Sequence, residues 1–357
     1  MSLDITRTRL RNQRLSGGRF QTPQDVVRWL GAVQAQDYGG AKWALGLRMQ
    51  RARDADIEAA FSDGRILRTH VMRPTWHFVA PEDIRWMLAL TAPRVSAAMA
   101  PYNRRLELDA TVFRRSQRAM VRALRGGRQL TRQELKVVLV QAGVHADGVQ
   151  RLAHIVMQAE LDAVICSGPR RGKQFTYALL DERVPMVRVR SRDDSLTELA
   201  RRYFTSHGPA QLHDFAWWSG LSIADARAGL AAVDRELARE TIDGRTYWFR
   251  SSVRTVATPR AAYLLPLFDE YLIAYKDRRA ALDPSRWTRV AARDPFSAPV
   301  VVNGQVVGGW QRIQKHGKVS VALTPFAPLD KRHTASIADA ARAYTRFLGA
   351  DLELSWS

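Results

Sequence analysis

Cysteine is nearly absent from this 357-residue chain, with Cys166 standing alone. One cysteine closes no internal disulfide, and no Cys/His spacing for zinc can be built around it. Lysine is also scarce. Of the 55 basic residues only 7 are lysine, and none stands in a marked apolar pocket, so no Schiff-base nucleophile is evident. There is no uninterrupted apolar run of about 18 residues, so no membrane span is expected. The opening Met1-Ser2-Leu3-Asp4-Ile5 lacks the basic and apolar regions of a signal peptide, and the cytoplasm is the expected compartment. The metalloprotease HExxH, paired CxxC, Walker loop and GxSxG patterns are missing too. No motif that would hold a metal or cofactor is evident.

What the chain has in excess is arginine. Against 35 acidic residues the formal net charge is +20. A GC-rich genome accounts for arginine over lysine but not for the surplus of positive charge. A polyanion accounts for it, because each neutralised phosphate releases counterions. A membrane surface fits less well, since no amphipathic Lys/Arg helix with an apolar face stands out.

One pattern recurs along the chain. A helical stretch over Ile5–Leu15 comes first. Thr22-Pro23 then starts a helix expected to run to about Gln36, and Asp37-Tyr38-Gly39-Gly40 reads as a turn. Asp54–Phe61 is a second helix, and Ile66–Ala80 a hairpin around Arg73-Pro74. The order returns with a helix capped by Thr131 and Glu134, a helix over Gly148–Leu161, and a strand–turn–strand whose tip holds Arg170, Arg171 and Lys173. A third copy has helices over Gln211–Ser219 and Ser222–Leu237, then a hairpin with an Asp243-Gly244 turn. The remainder is β-rich. Tyr263–Tyr275 reads as a buried strand, Asn303-Gly304 joins a hairpin, Val319–Leu323 is a strand, and a helix over Ser336–Leu348 precedes a last strand.

These readings predict an α+β protein of three tandem winged helix-turn-helix units plus a β-rich C-terminal domain. The expected boundaries are 1–125, 126–190, 191–253 and 254–357.

Val33-Gln34-Ala35-Gln36-Asp37, Arg68 through Val79 (RTHVMRPTWHFV), Gly168 through Gln174 (GPRRGKQ) and Leu264 through Tyr271 (LLPLFDEY) occur in that order. Together they resemble the AlkZ-like bacterial DNA glycosylases, and the resemblance covers nearly the whole chain. It implies a C-shaped monomer that binds double-stranded DNA. Such enzymes excise alkylated purines by hydrolysing the N-glycosidic bond without cofactor, some unhooking interstrand crosslinks in self-resistance to DNA-alkylating antibiotics. The family's catalytic Gln–aliphatic–Gln is matched by Gln34, Ala35 and Gln36. A related branch has Asp at the second catalytic position, where this sequence has Gln36.

Two carboxamides can hold one water through a donor and an acceptor each. They are weak bases, but an N7- or N3-alkylated purine is already cationic and leaves neutral. The task is then to position water and stabilise an oxocarbenium-like sugar. Residues two apart on a helix diverge, so the pair converges only if the helix has ended between them. The plain alternative is that both glutamines cap a helix C-terminus.

Asp37 is a water activator or a turn former. His70 and His77 are DNA contacts, site-ordering residues or satisfied strand histidines, with His77 the one placed in catalytic support. Arg73, Arg170, Arg171 and Lys173 are the expected phosphate contacts. Trp217-Trp218 reads as core, and Asp269 and Glu270 as partners of arginine. The functional alternatives are a non-enzymatic winged-helix DNA-binding regulator and a protein that sequesters a DNA-reactive natural product.

Overall fold

The computed structural model describes residues 3–186, 190–250, 261–293, 297–315 and 318–356. After α1 (Ile5–Asn12), one topology appears three times. The first copy runs α2 (Pro23–Leu30), β1 (Val33–Gln34), α3 (Tyr38–Leu47), α4 (Asp54–Ser62), β2 (Leu67–Val71) and β3 (Arg73–Val79). The 25-residue α5 (Pro81–Arg105) leads on to the second. That copy runs α6 (Ala110–Leu124), β4 (Leu130–Thr131), α7 (Arg132–Gln141), α8 (Val149–Leu161), β5 (Ile165–Ser167) and β6 (Thr176–Leu179), followed by the short α9 (Leu180–Arg183). In both copies the last strand lies between the other two, as β1-β3-β2 and β4-β6-β5.

The third copy is α10 (Arg192–Ser206), α11 (Leu212–Ser219), α12 (Ile223–Val233), β7 (Ala238–Ile242) and β8 (Arg245–Phe249). A single bridge from Ala210 to Trp248 stands where the other copies have their first strand. The C-terminal region holds β9 (Ala262–Leu264), α13 (Glu270–Ile273), α14 (Pro284–Arg293), β10 (Ala298–Val302), β11 (Gln305–Lys315), β12 (Lys318–Pro325), α15 (Lys331–Leu348) and β13 (Asp351–Trp356). Its sheet runs β13-β12-β11-β10-β9, and only the β12–β13 pair is parallel.

Local chemistry explains most of this. Thr22 and Thr131 accept the backbone N–H groups of Asp25 and Glu134, as N-caps do. Asn303-Gly304 and Asp243-Gly244 all take positive φ, the conformation that closes a tight two-residue hairpin.

Four expectations need correction. The helix begun at Pro23 stops at Leu30, because Gly31 turns to φ 82°. Residues Val33 and Gln34 are strand. The supposed turn at Asp37–Gly40 opens a ten-residue helix, α3. Past Leu264, Pro266 ends the strand expected through Tyr275, and the chain turns into α13 instead. The third copy's second helix stops at Val233 and continues only as a 3₁₀ turn, Asp234–Glu236.

One apolar cluster joins the first copy to the C-terminal region, from Leu10, Val26 and Phe78 through to Val301, Trp310 and Tyr344. A second contains most of the third copy, and a third belongs to the second copy. Arg48 crosses the first of these regions with no exposed surface. Its five N–H donors meet five acceptors: both Asp269 oxygens, the Gln13 carbonyl and side-chain oxygen, and the Ala44 carbonyl. A buried guanidinium is tolerated only when satisfied in this way. The expectation of an arginine partner therefore holds for Asp269, whereas Glu270 is held by other groups. Trp218 is core, fully buried, but Trp217 is 46% exposed.

Candidate active site

The early stop at Gly31 decides the geometry of the glutamines. Val33 pairs with Phe78 and Gln34 with His77. The extended path continues past β1, where the Ala35 N–H donates to the Trp76 carbonyl at 2.7 Å. Alternation along an extended chain puts Gln34 and Gln36 on one side and buries Ala35 on the other. The convergence comes from a strand, so no break between the two residues is needed. Arg68 backs the segment, donating from Nε to the Ala35 carbonyl at 3.0 Å with its guanidinium over the Trp76 ring. Neither glutamine caps a helix.

Each amide is oriented by a donor. Arg73 Nη2 donates to Gln34 Oε1 at 2.9 Å and to His77 Nε2 at 3.2 Å. His77 can accept because its Nδ1–H donates to the Thr75 carbonyl at 2.9 Å. Burial, then the neighbouring Arg73 charge, push the His77 pKa down to about 3, so its imidazole is neutral. Gln36 Oε1 accepts the Trp76 N–H at 3.3 Å. Both amide NH₂ groups are thus left facing away from these anchors.

Glu270 lies beneath the strand without exposed surface. Its Oε1 accepts the Gln34 N–H and its Oε2 the Trp218 indole N–H, both at 2.9 Å. Burial alone would raise its pKa. His207, 3.6 Å away, together with Arg73 and the Gln34 N–H outweigh that and hold it below the usual carboxylate value. A buried negative charge so fixes the backbone of the first glutamine.

Gln36 and Asp37 open onto a cleft of about 600 Å³ between α3, the Pro266–Phe268 loop, β11 and α15. Both residues are exposed. Asp37 precedes α3 yet makes no side-chain cap bond. Arg312 stands across from it, bonded to the Tyr344 hydroxyl.

Of the remaining expected site residues only Arg73 reaches the glutamines, and the others lie apart. His70 is buried against Glu160 of α8 and its ring lies 4.3 Å from that of Trp76, so it ties two copies together. Arg73 points at Gln34. Arg170 is folded back onto Glu58 at 3.3 Å, between the Tyr38 and Phe175 rings. Arg171 is 56% exposed and bonded to Glu134 at 2.7 Å, while Lys173 is exposed.

Several residues escaped the sequence reading. Arg114, Arg115, Arg118, Arg122 and Arg125 stand exposed on or just past α6, and among the described residues none has an acidic partner. The clustering along one helix was a readable signal. Arg312 and Tyr344 gave none, and Glu270 was read as a partner of arginine rather than of Gln34, because only the fold brings the C-terminal region to the first copy. No group of described residues is placed to hold a metal, and no described helix is long and apolar enough to cross a membrane.

Comparison with known proteins gives a consistent result. The model of the AlkZ-like DNA glycosylase family matches residues 27–347. A Streptomyces sahachiroi protein, "Interstrand DNA cross-link repair glycosylase", is 25% identical over 342 residues, covering 90% of each chain. The solved structure of Streptomyces sahachiroi DNA glycosylase AlkZ shares the fold, with a TM-score of 0.84 at 23% identity over 99% of this chain and 98% of that one. With its family model spanning nearly all of the sequence, this chain belongs to the AlkZ-like DNA glycosylase family.

Proposed function

We propose that the protein is a monofunctional DNA glycosylase acting on double-stranded DNA, hydrolysing the N-glycosidic bond of purines made cationic by N7 or N3 alkylation. Its reach extends, on this reading, to unhooking interstrand crosslinks, the activity named for its Streptomyces relative. The observation that carries the proposal is the pair Gln34 and Gln36 on one side of an extended segment, each amide anchored through its oxygen.

The chemistry asks little of a base. The C1′–N bond breaks, its electron pair leaves with the purine, and the cationic base departs neutral. Water adds to C1′ and loses its proton to solvent or to Asp37. Gln34 and Gln36 hold that water on the reacting face, a task of proximity and orientation. Arg73 and His77 position Gln34 rather than touch substrate. Lys42, the lysine of the first copy, is bonded to Asp54 and Glu58 at 2.7 and 2.8 Å. It is no free amine for an abasic-site lyase, so an intact abasic site is the expected product.

The three repeats are then winged-helix units that present the site and track the duplex, with the divisions 1–125, 126–190, 191–253 and 254–357. The molecule works as a C-shaped cytoplasmic monomer. Phosphate contacts come from the arginines of α6 together with Arg171 and Lys173.

The test is single-turnover release of N7-methylguanine from duplex DNA. Gln34→Ala and Gln36→Ala are each expected to slow release by about 10²-fold or more while duplex affinity holds. Normal excision by the double variant would remove both glutamines from the mechanism. No release by the wild-type protein, with tight binding to one preferred palindrome, would make it a regulator instead.

A further inference from the structure

The two glutamines are not held alike. Gln34 takes a 2.9 Å bond at its side-chain oxygen from Arg73, which His77 fixes in turn, and its backbone N–H is held by Glu270. Gln36 is exposed, and its side-chain oxygen meets the Trp76 N–H at 3.3 Å. That distance lies past the roughly 2.7–3.2 Å of an ordinary N–H···O bond. An amide held at its oxygen by one long bond can turn about it, whereas an amide held at both ends keeps its plane.

The strand register names the residue that faces Gln36. Val33 pairs with Phe78 and Gln34 with His77, and the Ala35 N–H meets the Trp76 carbonyl, so the next pair along the extended chain is Gln36 with Thr75. Cross-strand partners share a face, which puts the Thr75 side chain on the side of Gln34, Gln36 and His77. Trp76 turns to the other side, against His70 and Arg68.

Thr75 Oγ1 is closed to solvent and has no hydrogen-bond partner among the described residues. Buried hydroxyls are nearly always paired, and an unpaired one lowers stability. Valine has nearly the same shape and suits a strand at least as well, so this hydroxyl adds nothing to the resting fold. Thr69, opposite His77 on β2, has an unpaired hydroxyl too, but β3 stands between it and the glutamines. Of the two, Thr75 is the one beside Gln36.

We propose that Thr75 is a positioning residue for the second glutamine. With damaged DNA in place, Gln36 donates one amide N–H to Thr75 Oγ1 while its oxygen stays on the Trp76 N–H. The amide is then held at both ends, and its second N–H is aimed at the water beside C1′. Hydrogen bonds of this kind are often long or unmade in a free enzyme and tighten only when substrate is bound. The inference rests on the glycosylase reading and adds to it a residue that acts through Gln36 without touching substrate.

The test is single-turnover release of N7-methylguanine from duplex DNA by Thr75→Val and Thr75→Ser, with duplex affinity and unfolding midpoints measured alongside. Thr75→Val is expected to slow release about tenfold, as the loss of one hydrogen bond made only in the loaded site does. Its midpoint should hold or rise, because an unpaired buried hydroxyl has been removed, and its duplex affinity should hold. Thr75→Ser keeps the hydroxyl without the methyl group and should recover most of the rate. In a Gln36→Ala background Thr75→Val should slow release no further, since its effect passes through the missing amide. A wild-type rate in Thr75→Val, equal slowing by valine and serine, or additional slowing in the Gln36→Ala background would overturn the assignment and leave the glycosylase reading standing. No release by the wild-type protein would overturn both.

Discussion

The first and second copies of the repeat share a topology and differ at one junction. In the second, Leu130 and Thr131 pair with Tyr177 and Thr176, and the helix starts at the next residue. In the first, Val33 and Gln34 pair with Phe78 and His77, but the helix waits until Tyr38. Three residues, Ala35-Gln36-Asp37, are inserted between strand and helix. The second copy's polar groups there serve the helix. Thr131 accepts the Glu134 N–H, and Glu134 accepts the Thr131 N–H at 2.7 Å. The third copy does likewise in part, with Asp214 accepting the Gln211 N–H. In the first copy the corresponding third helical position is Gly40, and the space of its absent side chain holds the Asp37 carboxylate. The copy with the candidate site is the one that forgoes the cap.

The largest test of the contrast is at His77, where the second copy has Thr176. His77 is neutral when folded, its pKa about 3, and regains about 6.5 when unfolded. The unfolded chain therefore takes up a proton between those values that the folded chain does not. Stability is full above pH 6.5 and falls with acidification, by about 2 kcal/mol from pH 7 to pH 5. His77→Gln should remove that part of the slope in urea unfolding at the two pH values. An identical slope would mean His77 is protonated in place, and that Arg73 is held some other way.

Gly40→Ala pushes the first copy toward its siblings. Asp37 must swing aside, and base release should fall roughly tenfold, a loss of one positioned group at the low end of such effects. The same variant should leave the helix as stable or better, since alanine is favoured over glycine by about 1 kcal/mol. An unchanged rate would reduce Asp37 to an occupant of the gap. Thr131→Ala is the converse. It should cost about 1 kcal/mol of stability and leave base release alone. A slowed reaction would mean that the second copy supports the site more directly than its position suggests.

The contrast also explains what was readable in the sequence. The box at Thr131 and Glu134 was legible because it is local and built of residues with one common use. The hairpins at Asp243-Gly244 and Asn303-Gly304 were legible for the same reason. The end of α2 was missed because Val33 continues a helical spacing, and what overrides it is a tertiary ladder to β3 and a left-handed Gly31. α3 was missed because Gly39 and Gly40 look like a turn, and their reason lies in Arg312 and Pro266, more than 200 residues on. Gln34 and Gln36 were found through resemblance. Their geometry was not, since a helix was assumed where an extended segment stands. Glu270 was read as a partner of arginine, but no spacing pattern connects it with Gln34.

The smallest effect separates the arginines proposed to meet DNA from those that hold the protein together. Exposure and pairing divide the two sets. Arg170 is 19% exposed and engaged by Glu58 and two aromatic rings. Arg118 is exposed on α6, four residues from Arg114 and four from Arg122. Like charges at that spacing repel along a helix and cost it stability. A rise of about 1.5 Å per residue sets them roughly 6 Å apart, close to the spacing of successive phosphates, and a backbone running along α6, as proposed, would turn the repulsion into binding. Arg118→Ala should lower the slope of log K against log salt by about 0.9, which is roughly threefold in relative affinity between 50 and 200 mM. Damaged and undamaged duplexes should be affected alike, with base release at saturating enzyme unchanged. Arg170→Ala should leave the slope alone and lower the unfolding midpoint. The opposite pattern would move the DNA path from α6 to the hairpin turn of the second copy.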